Sequence, residues 1–129
     1  MILVNFINMN FKAGVEGELN FLNERFIIKY KMNNYIFEIK DKTGRKIRLT
    51  KRQWEHIAIK HPYMANYLNE IEETIKNPDK IIQHNFGNLF DYYKYYKNRK
   101  DNLKFLKVIV KYLNGDRFIL SAYFVKYIN

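Results

Sequence analysis

Three histidines, His56, His61 and His84, are the side chains of this 129-residue sequence best suited to proton transfer near neutral pH. His56 and His61 are five residues apart, which separates them by about 140° on a continuous helix. This spacing differs from the i, i+4 pair of a helical zinc site, and the sequence has no cysteine to supply a thiolate ligand. We therefore expect proton-transfer chemistry with no metal and no cofactor.

Cleavage of RNA needs only groups of this kind. The 2′-hydroxyl can attack its own phosphate when one group takes its proton, a second protonates the leaving oxygen, and cations or hydroxyls stabilise the phosphate. Ser121 and Tyr123 alternate on one side of a predicted strand, and we expect Arg117 on that side as well. Further candidates for binding a nucleic acid are Lys60, on the helical stripe of His56, and Tyr93 and Lys94, in a run that alternates aromatic and basic side chains.

Each candidate also has a structural explanation. For His56, a solvent-facing histidine is an equal alternative, and a buried His61 could fix the end of a helix by a hydrogen bond. For His84, a surface position is favoured. A cross-strand hydrogen bond would explain Ser121, and Tyr123 could be an ordinary exposed tyrosine, so that residue types alone leave these alternatives open.

The charge of the chain favours a polyanionic partner. Lys and Arg number 23 against 13 Asp and Glu, a formal net charge of +10, which raises the local concentration of nucleic acid around the protein. An acidic protein partner is the alternative. The apolar start of the chain lacks a basic leader, and no stretch reaches the length of a membrane span. We expect a cytoplasmic protein without a membrane partner.

The elements that would position these residues follow from turn and cap signals. Residues 25–31 and 35–40 read as an N-terminal hairpin, and Asp41–Gly44 as a turn into a short strand, 45–49. Thr50 followed by Gln53 matches a helix capping box, and Pro62 should end or bend that helix. A second helix fits residues 64–76.

Four strands are predicted after the second helix, at about 80–85, 90–97, 103–113 and 117–128. We expect Phe118, Leu120, Ala122 and Phe124 on one side of the last strand, and Arg117, Ser121, Tyr123 and Tyr127 on the other. The predicted fold is α+β: an N-terminal hairpin, two helices, then a four-stranded antiparallel meander with the helices packed on one face. The chain reads as a single domain, 1–129, with an extension at 1–45 and a core at 46–129.

Taken in order, short motifs of residues 47–127 resemble the phage-associated members of the barnase–EndoU–colicin–RelE-like fold, a group of small nucleases. The motifs are Ile47–Thr50, Trp54–Ile57, His61-Pro62, Ile75–Ile81, Tyr92–Lys94, Val108–Val110 and Phe118–Tyr123. The resemblance implies an active surface on the sheet face away from the helices and metal-independent RNA cleavage. Residue by residue, it assigns His56 and His61 to the family's helix histidines, Lys94 to a strand cation and Ser121 to the Ser-Ala-Tyr motif. Tyr63 departs from the acidic residue that often follows the His-Pro pair.

The predicted function is that of a metal-independent endoribonuclease, of toxin-like or phage type. His56, His61, Ser121 and Tyr123 would act in catalysis, and Lys60, Tyr93, Lys94 and Arg117 would bind the substrate. The expected partner is RNA, with transfer RNA as one candidate, and an acidic antitoxin or immunity protein could accompany it. The alternatives are a non-catalytic nucleic-acid-binding module and a basic module that docks an acidic protein.

Overall fold

The computed structural model describes residues 34–84 and 87–129, of which Tyr35–Asn129 form one unit. The strands are β1 (Tyr35–Lys40), β2 (Lys46–Thr50), β3 (Lys80–Gln83), β4 (Leu89–Tyr95), β5 (Phe105–Leu113) and β6 (Asp116–Val125). The helices are α1 (Lys51–Lys60), a short 3-10 helix (Pro62–Asn66) and α2 (Leu68–Lys76). Within these ranges no helix is long and apolar enough to cross a membrane. A single domain over 1–129 stays a prediction.

The strands form one six-stranded sheet in the order β1-β2-β6-β5-β4-β3. From β3 to β6 each strand is antiparallel to the next, whereas β2 joins β6 in the parallel sense through the pair Arg48 and Phe118. The predicted fold class was therefore wrong, because the sheet is mixed and six-stranded rather than a four-stranded antiparallel meander. The pairing of β2 with β6 joins residues about 70 positions apart, and such a contact leaves no turn signal in the sequence.

The predicted N-terminal hairpin also needs correction. Its first arm, 25–31, lies outside the described residues, and its second arm is β1, which pairs antiparallel with β2. The turn between β1 and β2 is closed by Asp41, whose N–H donates to Arg45 O at 2.8 Å, and by Gly44, which adopts a φ of 85°. Gly tolerates this left-handed conformation without a steric penalty, so the turn chemistry selects β2 as the partner of β1.

The Asp41 carboxylate stabilises the same turn from inside. It accepts hydrogen bonds of 2.6–2.9 Å from the N–H and hydroxyl of Thr43, the N–H of Arg45 and the hydroxyl of Tyr92. Burial alone would raise the pKa of Asp41, but these hydrogen bonds outweigh it and hold the pKa below its usual value. The side chain therefore stays ionised although only 5% of it is exposed.

Helix α1 begins where the cap signal placed it. The Thr50 hydroxyl accepts a hydrogen bond from Gln53 N at 3.1 Å. The Gln53 side chain does not complete the capping box and instead donates to Leu120 O at 2.7 Å. At the other end, His61 N–H donates to Ile57 O at 2.7 Å, and Pro62 opens the 3-10 helix. The second α-helix begins only at Leu68, later than predicted.

The core lies between the helices and one face of the sheet, which we call the helix face. Its fully buried side chains come from both layers: Ile47, Leu49, Ile57, Met64, Ile71, Ile75, Leu106, Val108, Ile119 and Ala122. On β5 the buried positions are 106, 108 and 110, alternating with half-buried Lys107 and Ile109 on the other side, the far face. Truncation of any one of the large aliphatic side chains is expected to cost about 2–5 kcal/mol.

A β-bulge interrupts the alternation of β6. Ser121 lies opposite Ile109, whereas Ile119 lies opposite Val110, so Leu120 has no partner on β5. An extra residue of this kind exchanges the faces of every residue on one side of it relative to strict alternation.

The bulge separates Arg117 from the residues with which it was predicted to lie. Arg117 pairs with Tyr112 on the helix face, while Phe118 pairs with Lys111 on the far face. Ser121 and Tyr123 lie on the far face. The predicted faces of Arg117 and Phe118 were therefore wrong, and Tyr127 follows the end of β6 as an exposed residue.

Candidate active site

The end of α1 wraps around one edge of β6. Beyond the pair with Arg48, the second half of β6 has no strand beside it on that edge within the described residues. Side chains take the place of a strand: Gln53 donates to Leu120 O, and Phe124 N–H donates to the Tyr63 hydroxyl at 3.3 Å. This edge contact carries the helix end from the helix face round to the far face.

His61 reaches the far face in this way. Its ring stacks on Tyr123, with 4.9 Å between centroids and 28° between planes. Burial lowers the pKa of His61, and the nearby charges of Lys60 and His56 lower it further. A half-buried imidazole with a lowered pKa is neutral at neutral pH, the state in which it accepts a proton.

Lys107 lies in the middle of the far face. It is opposite Tyr123 on β6 and Tyr93 on β4, and its Nζ is 5.7 Å and 5.9 Å from the centroids of those rings. Burial would lower the pKa of Lys107, but the Asp91 carboxylate and the two phenols raise it on balance. The ammonium group is therefore charged at neutral pH although its side chain is only 15% exposed.

Asp91 links Lys107 to a second histidine. One oxygen, Oδ2, is 2.8 Å from His84 Nε2 and 3.5 Å from Lys107 Nζ. The other oxygen, Oδ1, and the Tyr93 hydroxyl are buried and have no hydrogen-bond partner among the described residues. Such groups cost about 1–3 kcal/mol each in stability, and a functional site is one of the places where that cost is tolerated.

We refer to these residues together as the far-face cluster: His61, His84, Asp91, Tyr93, Lys107 and Tyr123. It joins two imidazoles, one ammonium group, one carboxylate and two phenols on one side of the sheet. His61 lies beyond one side of Lys107, against Tyr123, and His84 lies on the other side, against Asp91. At the Tyr123 end of the cluster, the arrangement can take a proton at His61 and hold a negative charge against Lys107.

Three further predicted residues lie near the cluster or act on it. Ser121 shares the far face, one step along β6 from Tyr123. Lys60 and His56 are exposed on α1, and each lowers the pKa of His61 through its charge. The predicted positions of Tyr93 and Tyr123 fall inside the cluster itself.

Lys94 and Arg117 are not brought to the cluster, because both lie on the helix face. Lys94 pairs with Leu106 and donates from Nζ, at 3.1 Å, to the carbonyl oxygen of Asn77, the residue that follows the end of α2. The guanidinium of Arg117 lies over the Tyr112 ring, 4.2 Å from its centroid. Their predicted role in a common site with Ser121 and Tyr123 is not supported by this placement.

Sequence reasoning missed Asp91 and Lys107. It placed His84 at the surface, where 44% of the side chain is exposed, but without its contact to Asp91. A signal for Asp91 was present, since aspartate is disfavoured in a strand and this one stands two residues from Tyr93, on the same face. Lys107 was passed over as one of several strand lysines at a solvated edge. What distinguishes it is its position opposite both tyrosines, which depends on the strand register.

Across residues 34–84 and 87–129, no group of three or more histidine, aspartate or glutamate side chains is placed to hold a metal ion.

Comparison with known proteins gives one match. Residues 25–126 match the family model described as phage-Barnase-EndoU-ColicinE5/D-RelE like nuclease2. The match covers β1 to β6 and all six residues of the far-face cluster. No curated protein and no solved structure was found to match the chain.

Proposed function

The chain belongs to the phage-Barnase-EndoU-ColicinE5/D-RelE like nuclease family, and we propose that within this nuclease family it is a metal-independent endoribonuclease. The observation that carries the proposal is that a proton acceptor, His61, and a cation, Lys107, both lie next to the ring of Tyr123. His61 stacks on Tyr123 at 4.9 Å, and Lys107 Nζ is 5.7 Å from the same centroid. A phosphodiester placed over Tyr123 would contact both.

The proposed reaction is an internal transfer of the phosphoryl group. His61 accepts the proton of the ribose 2′-hydroxyl, and the 2′-oxygen forms a bond to phosphorus while the bond from phosphorus to the 5′-oxygen breaks. Lys107, whose Nζ is 5.7 Å from the centroid of the Tyr123 ring on which His61 stacks, donates a proton to the departing 5′-oxygen. The products are a 2′,3′-cyclic phosphate and a free 5′-hydroxyl, so that no water and no metal ion enter this step.

Lys107 would stabilise the phosphate during the transfer. Its ammonium group is held in place by Asp91 and has little exposure to water, so its attraction for the developing negative charge is weakly screened. The hydroxyls of Tyr123 and Ser121 would hydrogen-bond to the phosphate oxygens, since both side chains lie on the same face.

Asp91 would act on both of its neighbours. By accepting a hydrogen bond from His84 Nε2, it fixes the orientation of that ring. With its charge it also keeps Lys107 protonated.

A net charge of +10 supports RNA as the polyanion that is captured. Transfer RNA is one candidate substrate, the cytoplasm is the proposed compartment, and an acidic antitoxin or immunity protein is the proposed partner. These three proposals rest on the charge and on the family resemblance.

The test uses a labelled single-stranded RNA beside the same sequence made with 2′-deoxyribose, both in EDTA. We expect cleavage of the RNA alone, with 2′,3′-cyclic phosphate ends detected by mass spectrometry. His61→Ala should reduce kcat by at least about 100-fold while circular dichroism shows an unchanged fold. Cleavage of the deoxyribose strand, or complete inhibition by EDTA, would contradict the proposal.

Two further variants identify the proton donor. Lys107→Met should reduce the rate strongly on a substrate with an ordinary 5′-alcohol leaving group, and much less when the leaving group is p-nitrophenol, which departs without a proton. If His56→Ala shows this pattern instead, His56 is the donor and Lys107 is not. Binding of RNA without cleavage by the wild-type protein would favour the non-catalytic binding module.

A further inference from the structure

A polar pocket lies on the helix face, on the other side of the sheet from the far-face cluster. It has a volume of about 350 Å³ and is lined by Arg45, Gln83, Asn88, Phe90, Tyr112 and Arg117. We propose that this pocket binds one nucleotide, with the phosphate between the two arginines and the base against the two aromatic rings. The site goes beyond the proposed cleavage, since none of its residues belongs to the cluster.

Arg117 provides the first reason for an anionic ligand. Its guanidinium lies over the Tyr112 ring at 4.2 Å, and its Nε is buried with no hydrogen-bond partner in the described part of the chain. A buried guanidinium N–H without an acceptor is costly. A phosphate oxygen would satisfy it, because the guanidinium fork matches the geometry of phosphate.

Arg45 adds a second cation to the same pocket. It is exposed at the turn between β1 and β2, and neither Arg45 nor Arg117 forms an ion pair with a carboxylate of the described residues. Burial and the Asp41 carboxylate raise the pKa of Tyr92, while the charges of both arginines act in the opposite direction. Both charges thus act on the same buried hydroxyl, and both side chains line the same pocket.

The carboxylate that faces this region is Asp41. It already accepts four hydrogen bonds, from Thr43, the Arg45 N–H and the Tyr92 hydroxyl. These hydrogen bonds stabilise the negative charge of Asp41 within the turn. With two guanidinium charges against this one carboxylate, the pocket is positive.

The remaining walls favour a nucleotide over inorganic phosphate. Phe90 and Tyr112 present aromatic surface for stacking a base, and the amides of Gln83 and Asn88 can donate to and accept from a base edge. The volume lies at the lower end of the range for small-molecule pockets, about 300–1,000 Å³. A phosphate alone would leave most of that space unfilled.

The bulge at Leu120 is what creates this pocket. Strict alternation on β6 would put Arg117 on the far face with Ser121. The extra residue moves Arg117 to the helix face, beside Tyr112 and across from Arg45.

The test is a titration of ¹⁵N-labelled full-length protein with the four 5′-nucleoside monophosphates, followed by NMR. We expect shifts of Arg117 Nε–H and of the Gln83 and Asn88 side-chain amides, with saturation. Arg45→Gln removes one charge at an exposed position and should weaken binding at least fivefold. Lys46→Gln is the matched control, because it removes the same charge from the next residue along the chain, the exposed first residue of β2, which does not line the pocket, and should leave the affinity within about twofold.

Three results would overturn the proposal: no shift at these three groups, equal affinity for inorganic phosphate, or equal weakening by Arg45→Gln and Lys46→Gln. The chemistry of the pocket fits both a free nucleotide and one nucleotide of a strand. A tetranucleotide of deoxyribose that binds the pocket at least tenfold more tightly than the monophosphate supports the strand, and equal affinity supports the free nucleotide. The readout is binding, so failure of the cleavage assay leaves it unaffected.

Discussion

Replacement of Lys107 by Met is expected to lower both stability and activity, by routes that a second substitution separates. The Lys107 ammonium is 3.5 Å from the Asp91 carboxylate, and the two side chains are only 15% and 4% exposed. At an effective dielectric constant of about 20, a pair at this distance attracts by about 5 kcal/mol. Breaking a buried pair by removing one partner costs about 3–5 kcal/mol, and because His84 still contacts Asp91, we expect a loss of about 3 kcal/mol.

Activity should fall by a separate amount. Loss of one preorganised group that stabilises developing charge costs about 100- to 1,000-fold in kcat. In Asp91→Asn/Lys107→Met the buried unpaired charge is gone, so the free energy of unfolding should return to within about 1 kcal/mol of wild type. Activity should stay lost, because no cation contacts the phosphate.

Urea denaturation measures the first effect, and kcat on the labelled RNA measures the second. Lys111→Met is the matched control, since Lys111 lies on the same strand and the same face, four residues beyond Lys107. It should change stability by less than about 1 kcal/mol and leave kcat within about threefold. If the double variant regains activity, or if Lys107→Met retains it, Lys107 does not stabilise the phosphate.

Two more predictions follow from the helix end and from the bulge. Lys60→Gln removes a charge that lowers the pKa of His61, so the acidic limb of the pH–kcat profile, which should lie below pH 6.5, should move to higher pH. The control is Lys97→Gln, which removes the same charge from an exposed lysine two residues after the end of β4. A limb that does not move, or that Lys97→Gln moves equally, would argue against His61 as the base. Deletion of Leu120 should restore strict alternation on β6, which misplaces either the core residues or Arg117. We expect the free energy of unfolding, measured by urea denaturation, to fall by more than about 2 kcal/mol. Leu120→Ala keeps the bulge and should lower it by less, and equal losses would show that the bulge itself contributes nothing to stability.

Local signals predicted the local parts of this fold. Thr50 caps α1, Pro62 ends it, and Asp41 and Gly44 make the turn that their types indicate. Each of these features depends on side chains within a few residues. The pairing of Arg48 with Phe118 depends on packing between distant segments, and for that reason the mixed six-stranded sheet was not predicted.

The candidate site, too, could be predicted from the sequence only in part. His61 and Tyr123 stand out by residue type and by their motifs, and the structure stacks them on each other. Lys107 and Asp91 become significant only when the register of β4, β5 and β6 is known. Arg117 was misplaced because a bulge adds one residue without a clear mark in the sequence.

The order of the strands has a consequence for synthesis on the ribosome. His61 lies in the first half of the chain, whereas Tyr123 lies on β6, the last strand, and β2 must wait for β6 before it finds its parallel neighbour. Contacts between such distant segments form late in folding, because a long loop must close before they gain any energy. His61 and Tyr123 therefore cannot meet while the nascent chain is still short, and the far-face cluster stays incomplete until β6 has left the exit tunnel.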